Sequence, residues 1–358
     1  MTDTRYETAS TTKGRTAGYL LNALRLAPHR RAHWAAIRAA TSMAVPIIVV
    51  WSLGHLDWTL YVAFGGFAAV YGRHASYPDR LRMQAGSGAT IAVTITLGTA
   101  IGVIAPGSLV AVLAMAVSSG AGFLLSRKEG WLPLGSLFFV FASGATSSFA
   151  HRASDIPIAF GLAALSSLFA ITLGQSGRFT RAGRRALKSA PPSRPTWSQL
   201  VAARGVRWDL VRYAAGPLVA GGIATMVGIG HPYWAAVSAT VPLAGVTIDA
   251  QLTRAAHRLI GTLLGLAVAL VILLGNPSDV VMIAVVVVFQ AFAELFVLRN
   301  YGLAVVGLTP LALVLSHLAS PVPIGQLVSD RAVETAIGVA VAIALMFLGR
   351  PKSTSLTP

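Results

Sequence analysis

The stretch Val280–Phe296, VVMIAVVVVFQAFAELF, contains a single ionisable side chain, Glu294, in an otherwise apolar run. About 17–25 such residues suffice for a helix to cross the roughly 30 Å hydrocarbon layer of a bilayer. Working outward from it, runs of the same kind recur along the chain and predict about twelve transmembrane helices. The first six are Ile37 to Leu53, Trp58 to Tyr71, Ala85 to Ile104, Leu109 to Leu125, Leu132 to Phe149 and Ile156 to Leu173. The second six are Leu210 to Ile229, Tyr233 to Val246, Leu259 to Leu274, Val280 to Phe296, Tyr301 to Leu318 and Ala332 to Leu348. Composition agrees: 55% of residues are hydrophobic and only 11% charged, against about a quarter charged in a soluble domain.

The net charge of +16 would suit a nucleic-acid partner if the basic residues covered a folded polar surface. They lie instead between the apolar runs, so no nucleic acid is expected. With the N-terminus inside, all of the 28 Lys and Arg fall in cytoplasmic segments except Arg152 and Arg331. Lys and Arg in short loops are retained in the cytoplasm, so the pattern orients the protein with both termini cytoplasmic and favours an even number of spans. The same charges attract anionic lipid headgroups. The segments expected are a basic N-terminal stretch 1–34, with a short interfacial helix at Ala17 to Ala27, a first membrane block 35–174, a basic linker 175–209, a second block 210–349 and a tail 350–358. The linker reads as a surface connector or a regulatory element. No signal peptide is read in the N-terminal stretch.

Absence of cysteine excludes disulfides, thiolate metal sites and cysteine nucleophiles. No phosphate-binding loop, metal-ligand cluster or nucleophile elbow stands at the required spacing, so no catalytic residue, metal or cofactor is expected and the chain does not read as an enzyme.

An internal repeat is visible. Gly54–Trp58 reads GHLDW and Gly230–Trp234 reads GHPYW, 176 residues on; the same offset carries Arg82 onto Arg258, and an offset of 174 carries Arg38 onto Arg212. Two copies of six spans share one orientation, so the all-α fold expected is a pair of parallel six-helix repeats. The second span of each copy is the weakest and is interrupted at matching places, by Gly65-Gly66 and by Pro242. Backbone groups freed there can be satisfied by a substrate-lined cavity, which makes these positions candidates for a pathway, or the residues serve close packing and kinks. Arg82 and Arg258 read as a pair of guanidiniums at the inner mouth or as orientation anchors. Trp58 and Trp234 suit an aromatic belt or a stacking site. His55 and His231 are candidates for proton relay or solvated loop histidines. Glu294, an acid inside a span, is either a proton-coupling carboxylate or the partner of a base near the cytoplasmic end. Gly98 to Gly102 and Gly261 to Gly265 have the small-residue spacing of close helix contacts.

Arg258, Gly261, Thr262 and Gly265, preceded by Tyr233, Trp234 and Ala235, resemble the signature of the FUSC superfamily, the fusaric acid resistance proteins and aromatic acid exporters, which is similar to the plant aluminium-activated malate transporters. The resemblance spans about Trp34 to Arg350; in the first half Arg82 remains, while Ala85, Gly86 and Ala89 replace the glycine, threonine and glycine. Larger members resemble two membrane blocks around a cytoplasmic domain, which has no counterpart in this sequence. The resemblance implies export of aromatic or other organic acids across the bacterial plasma membrane, with the two halves facing one another. The alternatives are a passive organic-anion channel and a membrane scaffold or assembly subunit. Expected partners are lipids, a small organic anion, and a second copy or an accessory efflux subunit.

Overall fold

The computed structural model describes residues 26–28, 32–179, 194–203 and 205–348. The N-terminal stretch with its proposed interfacial helix, most of the basic linker and the tail lie largely outside the described residues. Among the described residues the chain is helical throughout, without strands.

Each of the apolar runs falls on a helix. These are α1 (Ala32–Ser52), α2 (Thr59–Gly66), α3 (Tyr77–Ile104), α4 (Leu109–Glu129), α5 (Leu137–Ser148) and α6 (Asp155–Gln175), then α7 (Val206–Met226), α8 (Tyr233–Leu243), α9 (Ile248–Leu274), α10 (Asp279–Phe296), α11 (Tyr301–Ala319) and α12 (Ile324–Phe347). A six-residue helix, Trp197–Ala202, precedes α7. Seven helices, α1, α3, α4, α6, α9, α10 and α11, are long and apolar enough to cross a bilayer by length and composition. The protein is thus an all-α membrane protein. Of the rest, α2, α5 and α8 are short, while α7 and α12 each carry three charged residues.

Three helices begin well before the runs they contain: α3 at Tyr77 rather than Ala85, α9 at Ile248 rather than Leu259, and α12 at Ile324 rather than Ala332. Hydropathy marks only the apolar part of a helix, whereas its start is set by capping. Ser76 Oγ accepts the N–H of Asp79, with Pro78 in the first turn, and Thr247 Oγ1 accepts the N–H of Ala250. The charged first turns of α3 and α9 therefore remain helical.

The short helices are the most deeply placed. Every residue of α2 and of α8 is buried. Around them the longer helices turn Leu97, Val117, Leu165, Val271 and Val288 outward, the apolar exterior a bilayer requires. Helix packing joins α1 to α2, α2 to α6, α3 to α5 and α6, and α4 to α5. It likewise joins α7 to α8, α8 to α12, α9 to α11 and α12, and α10 to α11. Between the halves α4 lies on α7, α10 on α1, and α5 on α8, where the rings of Phe141 and Tyr233 stack 5.8 Å apart.

Candidate functional site

Beneath the C-terminal ends of α2 and α8 the two halves enclose a cavity of about 420 Å³, within the range of small-molecule sites. One wall is aromatic: Phe67 and Tyr71 follow α2, and Phe138 and Phe141 come from α5, with ring centroids of Phe67 and Phe138 4.7 Å apart. Val237, Thr240 and Val241 of α8 and Leu308 and Leu311 of α11 complete the apolar lining.

Set into this lining are guanidiniums. Arg254 and Arg258 lie four residues apart on α9, hence on one face, and Arg331 projects from α12. Arg258 and Arg331 are each only 3% exposed. Arg258 donates from Nε to Ser238 Oγ at 3.2 Å, while one of its terminal nitrogens has no partner. Arg331 lies 5.0 Å over the ring of the fully buried Trp234 and leaves Nε and a terminal nitrogen without partners. The two like charges repel one another. Buried donors without acceptors are costly, and the chemistry that satisfies a planar guanidinium in an apolar site is a carboxylate. Tyr301, also on the wall, has a buried hydroxyl without a partner and lies 5.9 Å from the Arg254 guanidinium. Among the described residues no cluster of three or more His, Cys, Asp or Glu could hold a metal ion.

The positions singled out in the sequence scatter around this cavity. Gly65 and Gly66 do not line it. A Cβ on Gly65 would stand 2.8 Å from Ser166 Cβ, and one on Gly66 2.8 Å from the Ser42 carbonyl oxygen. The backbone they loosen is satisfied by protein: Ser42 Oγ donates to the Gly66 carbonyl at 3.0 Å and Ser167 Oγ to that of Gly65 at 3.1 Å. The chain then tightens into a 3-10 turn, Phe67–Val70, which carries Phe67 and Val70 to the cavity wall. Pro242 is buried near the end of α8, between cavity-lining neighbours Val241 and Ala244.

Arg258 reaches the cavity, but Arg82 does not; it is exposed on α3. The spacing explains why. Nineteen residues separate Trp58 from the start of α3, and fourteen separate Trp234 from the start of α9. Five extra residues rotate a helix position by about 140°, so the shared 176 offset points Arg82 and Arg258 to different faces. Trp58 is half-buried and Trp234 fully buried. His55 is exposed and stacks on Trp58 at 3.8 Å. His231 is buried, stacks on Trp234 at 4.7 Å and places Nδ1 3.0 Å from Asp330 Oδ2. Burial holds its imidazole below the ordinary histidine value, with Asp330 opposing in part. Glu294 lines the cavity, is buried, and forms an ion pair with Arg73 from the loop after α2; Arg73 also donates to the Glu294 backbone carbonyl at 2.8 Å.

Sequence reasoning missed Arg331, Arg254 and Arg73. The apolar run begins only at Ala332, which leaves Arg331 just outside it, whereas α12 begins at Ile324. Arg254 could have been found from its four-residue spacing to Arg258, whereas nothing local marks Arg73 as the partner of an acid 221 residues away.

The chain matches the fusaric acid resistance protein-like family over residues 219–345. It is 30% identical over 164 residues to YvaC, an uncharacterized membrane protein of Bacillus subtilis (strain 168), an alignment covering 45% of this chain and 25% of the relative. The chain thus spans about a quarter of the length of that relative. No solved structure matches. Arg258, Glu294 and Arg331 all lie within residues 219–345, the part of the chain that is similar to the fusaric acid resistance protein-like family.

Proposed function

We propose that the protein is a secondary transporter that exports organic anions, aromatic carboxylates in particular, across the bacterial plasma membrane. The observation that carries this is the pair of buried, incompletely partnered guanidiniums of Arg258 and Arg331 facing a cavity walled by Phe67, Tyr71, Phe138 and Phe141. The aromatic wall suits a ring and the guanidiniums suit its carboxylate.

In this reading all twelve helices are embedded as two parallel six-helix repeats, with 1–34, the linker and the tail cytoplasmic. Supporting it, the helix pairs that pack within the first half have counterparts within the second, and α4 on α7 is matched by α10 on α1. The cavity then opens towards the cytoplasm, because it is lined by the loops Gly72–Ala75 and Leu132–Ser136, at the ends where the basic residues gather. Arg331 and Trp234 close its far end. Export requires the halves to rock so that this end opens instead.

The test is flux of labelled benzoate from proteoliposomes, compared with cyclohexanecarboxylate. Hydrogen bonds to a charged partner contribute about 1.5–3 kcal/mol, so Arg331→Gln or Arg258→Gln is expected to weaken apparent affinity tenfold or more. Benzoate is expected to be favoured a few-fold, since aromatic contacts add about 0.5–1.5 kcal/mol. Equal flux in wild type and both variants would remove the anion site, and flux without accumulation against a gradient would make the protein a channel.

A further inference from the structure

The cavity holds more positive charge than one carboxylate compensates. Among the described residues its lining carries the guanidiniums of Arg73, Arg254, Arg258 and Arg331 and a single carboxylate, Glu294, which is committed to Arg73. No described carboxylate forms an ion pair with the other three arginines. Two acids of α12 stand next to Arg331. Asp330 is engaged by the neutral His231 ring, 3.0 Å from its Nδ1. Glu334 is fully buried; its Oε1 accepts the backbone N–H of His231 at 3.1 Å and its Oε2 has no partner, so without an ion pair it stays a neutral acid. The three guanidiniums of Arg254, Arg258 and Arg331 set against the one charge of Asp330 therefore leave two positive charges, and a ligand with one carboxylate answers only one of them.

The three guanidiniums stand at two depths. Arg258 and Arg331 are buried and keep bare donors. Arg254 lies one turn earlier on α9, which displaces it by about 6 Å along the helix axis towards the start of α9. There it is half-buried, 5.9 Å from the ring of Tyr301, whose buried hydroxyl has no partner. A guanidinium beside an uncommitted phenol hydroxyl is a second set of donors for a carboxylate. Phe67, Phe138 and Phe141 line the same space. We infer that the preferred substrate is an aromatic dicarboxylate, with one carboxylate on Arg258 and Arg331 and the other on Arg254 and the Tyr301 hydroxyl. Carboxylates at opposite ends of one benzene ring are held apart by about the length of one helical turn, the displacement between Arg254 and Arg258. A rigid ring presents both groups without the cost of ordering a flexible chain. The inference rests on reading the cavity as an anion site and names the substrate class of that site.

The experiment is titration calorimetry of the full-length protein in detergent at neutral pH, where free carboxyl groups are ionised. The ligands are benzoate, terephthalate and monomethyl terephthalate, which keeps the ring and the length of the diacid but carries a single charge. Wild type is expected to bind one terephthalate per chain, about tenfold or more tighter than the monoester, as hydrogen bonds to a charged group provide. Arg254→Gln is expected to bring that ratio close to one. Tyr301→Phe, which removes a donor and no charge, is expected to lower it a few-fold, while Arg331→Gln weakens all three ligands. Terephthalate no tighter than its monoester, two terephthalates per chain, or a ratio that survives both Arg254→Gln and Tyr301→Phe overturns the inference, and benzoate binding that Arg331→Gln weakens then leaves the anion site standing. No binding of any of the three by wild type overturns both. The comparison of diacid with monoester in wild type does not depend on any variant's folding.

Discussion

A guanidinium stays charged when buried, so each buried arginine must find compensation in protein or ligand. Arg73 and Glu294 form an ion pair, although Arg73 Nε too lacks a partner, whereas among the described residues no carboxylate pairs with Arg258 or Arg331, whose donors are left bare. In the proposed reading this difference makes the first pair structural and the second receptive. Removing one partner of a buried pair costs about 3–5 kcal/mol. Glu294→Gln or Arg73→Gln alone should therefore lower thermal stability in detergent markedly, and the double variant should recover a large part of the loss. Additive losses in that cycle would show that the pair contributes no coupling. Glu294 was legible in the sequence because one acid in an apolar run stands out; its partner was not, because pairing is a tertiary fact. Arg331 was hidden by the charges around it, which made the first two turns of α12 look like a loop.

Helices in a bilayer associate through close packing rather than through exclusion of water, so small residues decide where they meet. Gly261 and Gly265 seat α9 on α11: a Cβ on Gly261 would lie 2.8 Å from Val305 Cβ, and one on Gly265 2.6 Å from Thr309 Cβ. Gly98 similarly meets Ser143 and Thr146 of α5, and Gly102 meets Phe149 and His151 just beyond its end. Gly265→Ala is expected to destabilise by about 1–3 kcal/mol. Gly222→Ala on α7, where a new Cβ meets nothing within 4 Å, is expected to be neutral or to stabilise by about 0.5–1 kcal/mol. Melting of the two variants in one detergent checks both, and equal shifts would deny the packing account. The weakness of the second spans was also legible. Why the chain tolerates them was not: α2 and α8 are wrapped by neighbours, and the serines that satisfy the Gly65 and Gly66 carbonyls come from α1 and α6.

For the molecule as a whole, the sequence disclosed the all-helical membrane class and the positions of the helices, because hydropathy is a local property. It misaligned the two halves, because five extra residues before α3 carry Arg82 to another face while leaving the pattern of apolar runs intact. Stability of the whole should also depend on pH through two loop histidines. Burial lowers the values of His231 and His151; His151 donates from Nε2 to the Thr146 carbonyl at 2.7 Å and accepts from the Tyr61 hydroxyl at 3.0 Å. The unfolded chain binds the protons that these folded sites reject, so stability is full above about pH 6.5 and is lost as pH falls below it. Melting of anion-free protein across this range should show the decline, and His151→Gln with His231→Gln should flatten it; an unchanged slope would mean that other groups titrate. The account as a whole turns on what occupies the space between the halves. The most direct measurement is an experimental structure with 4-bromobenzoate, whose bromine marks the ring. The account predicts bromine against Phe67, Phe138 and Phe141 with the carboxylate on Arg258 and Arg331; a cavity left empty while bromine binds elsewhere would contradict it.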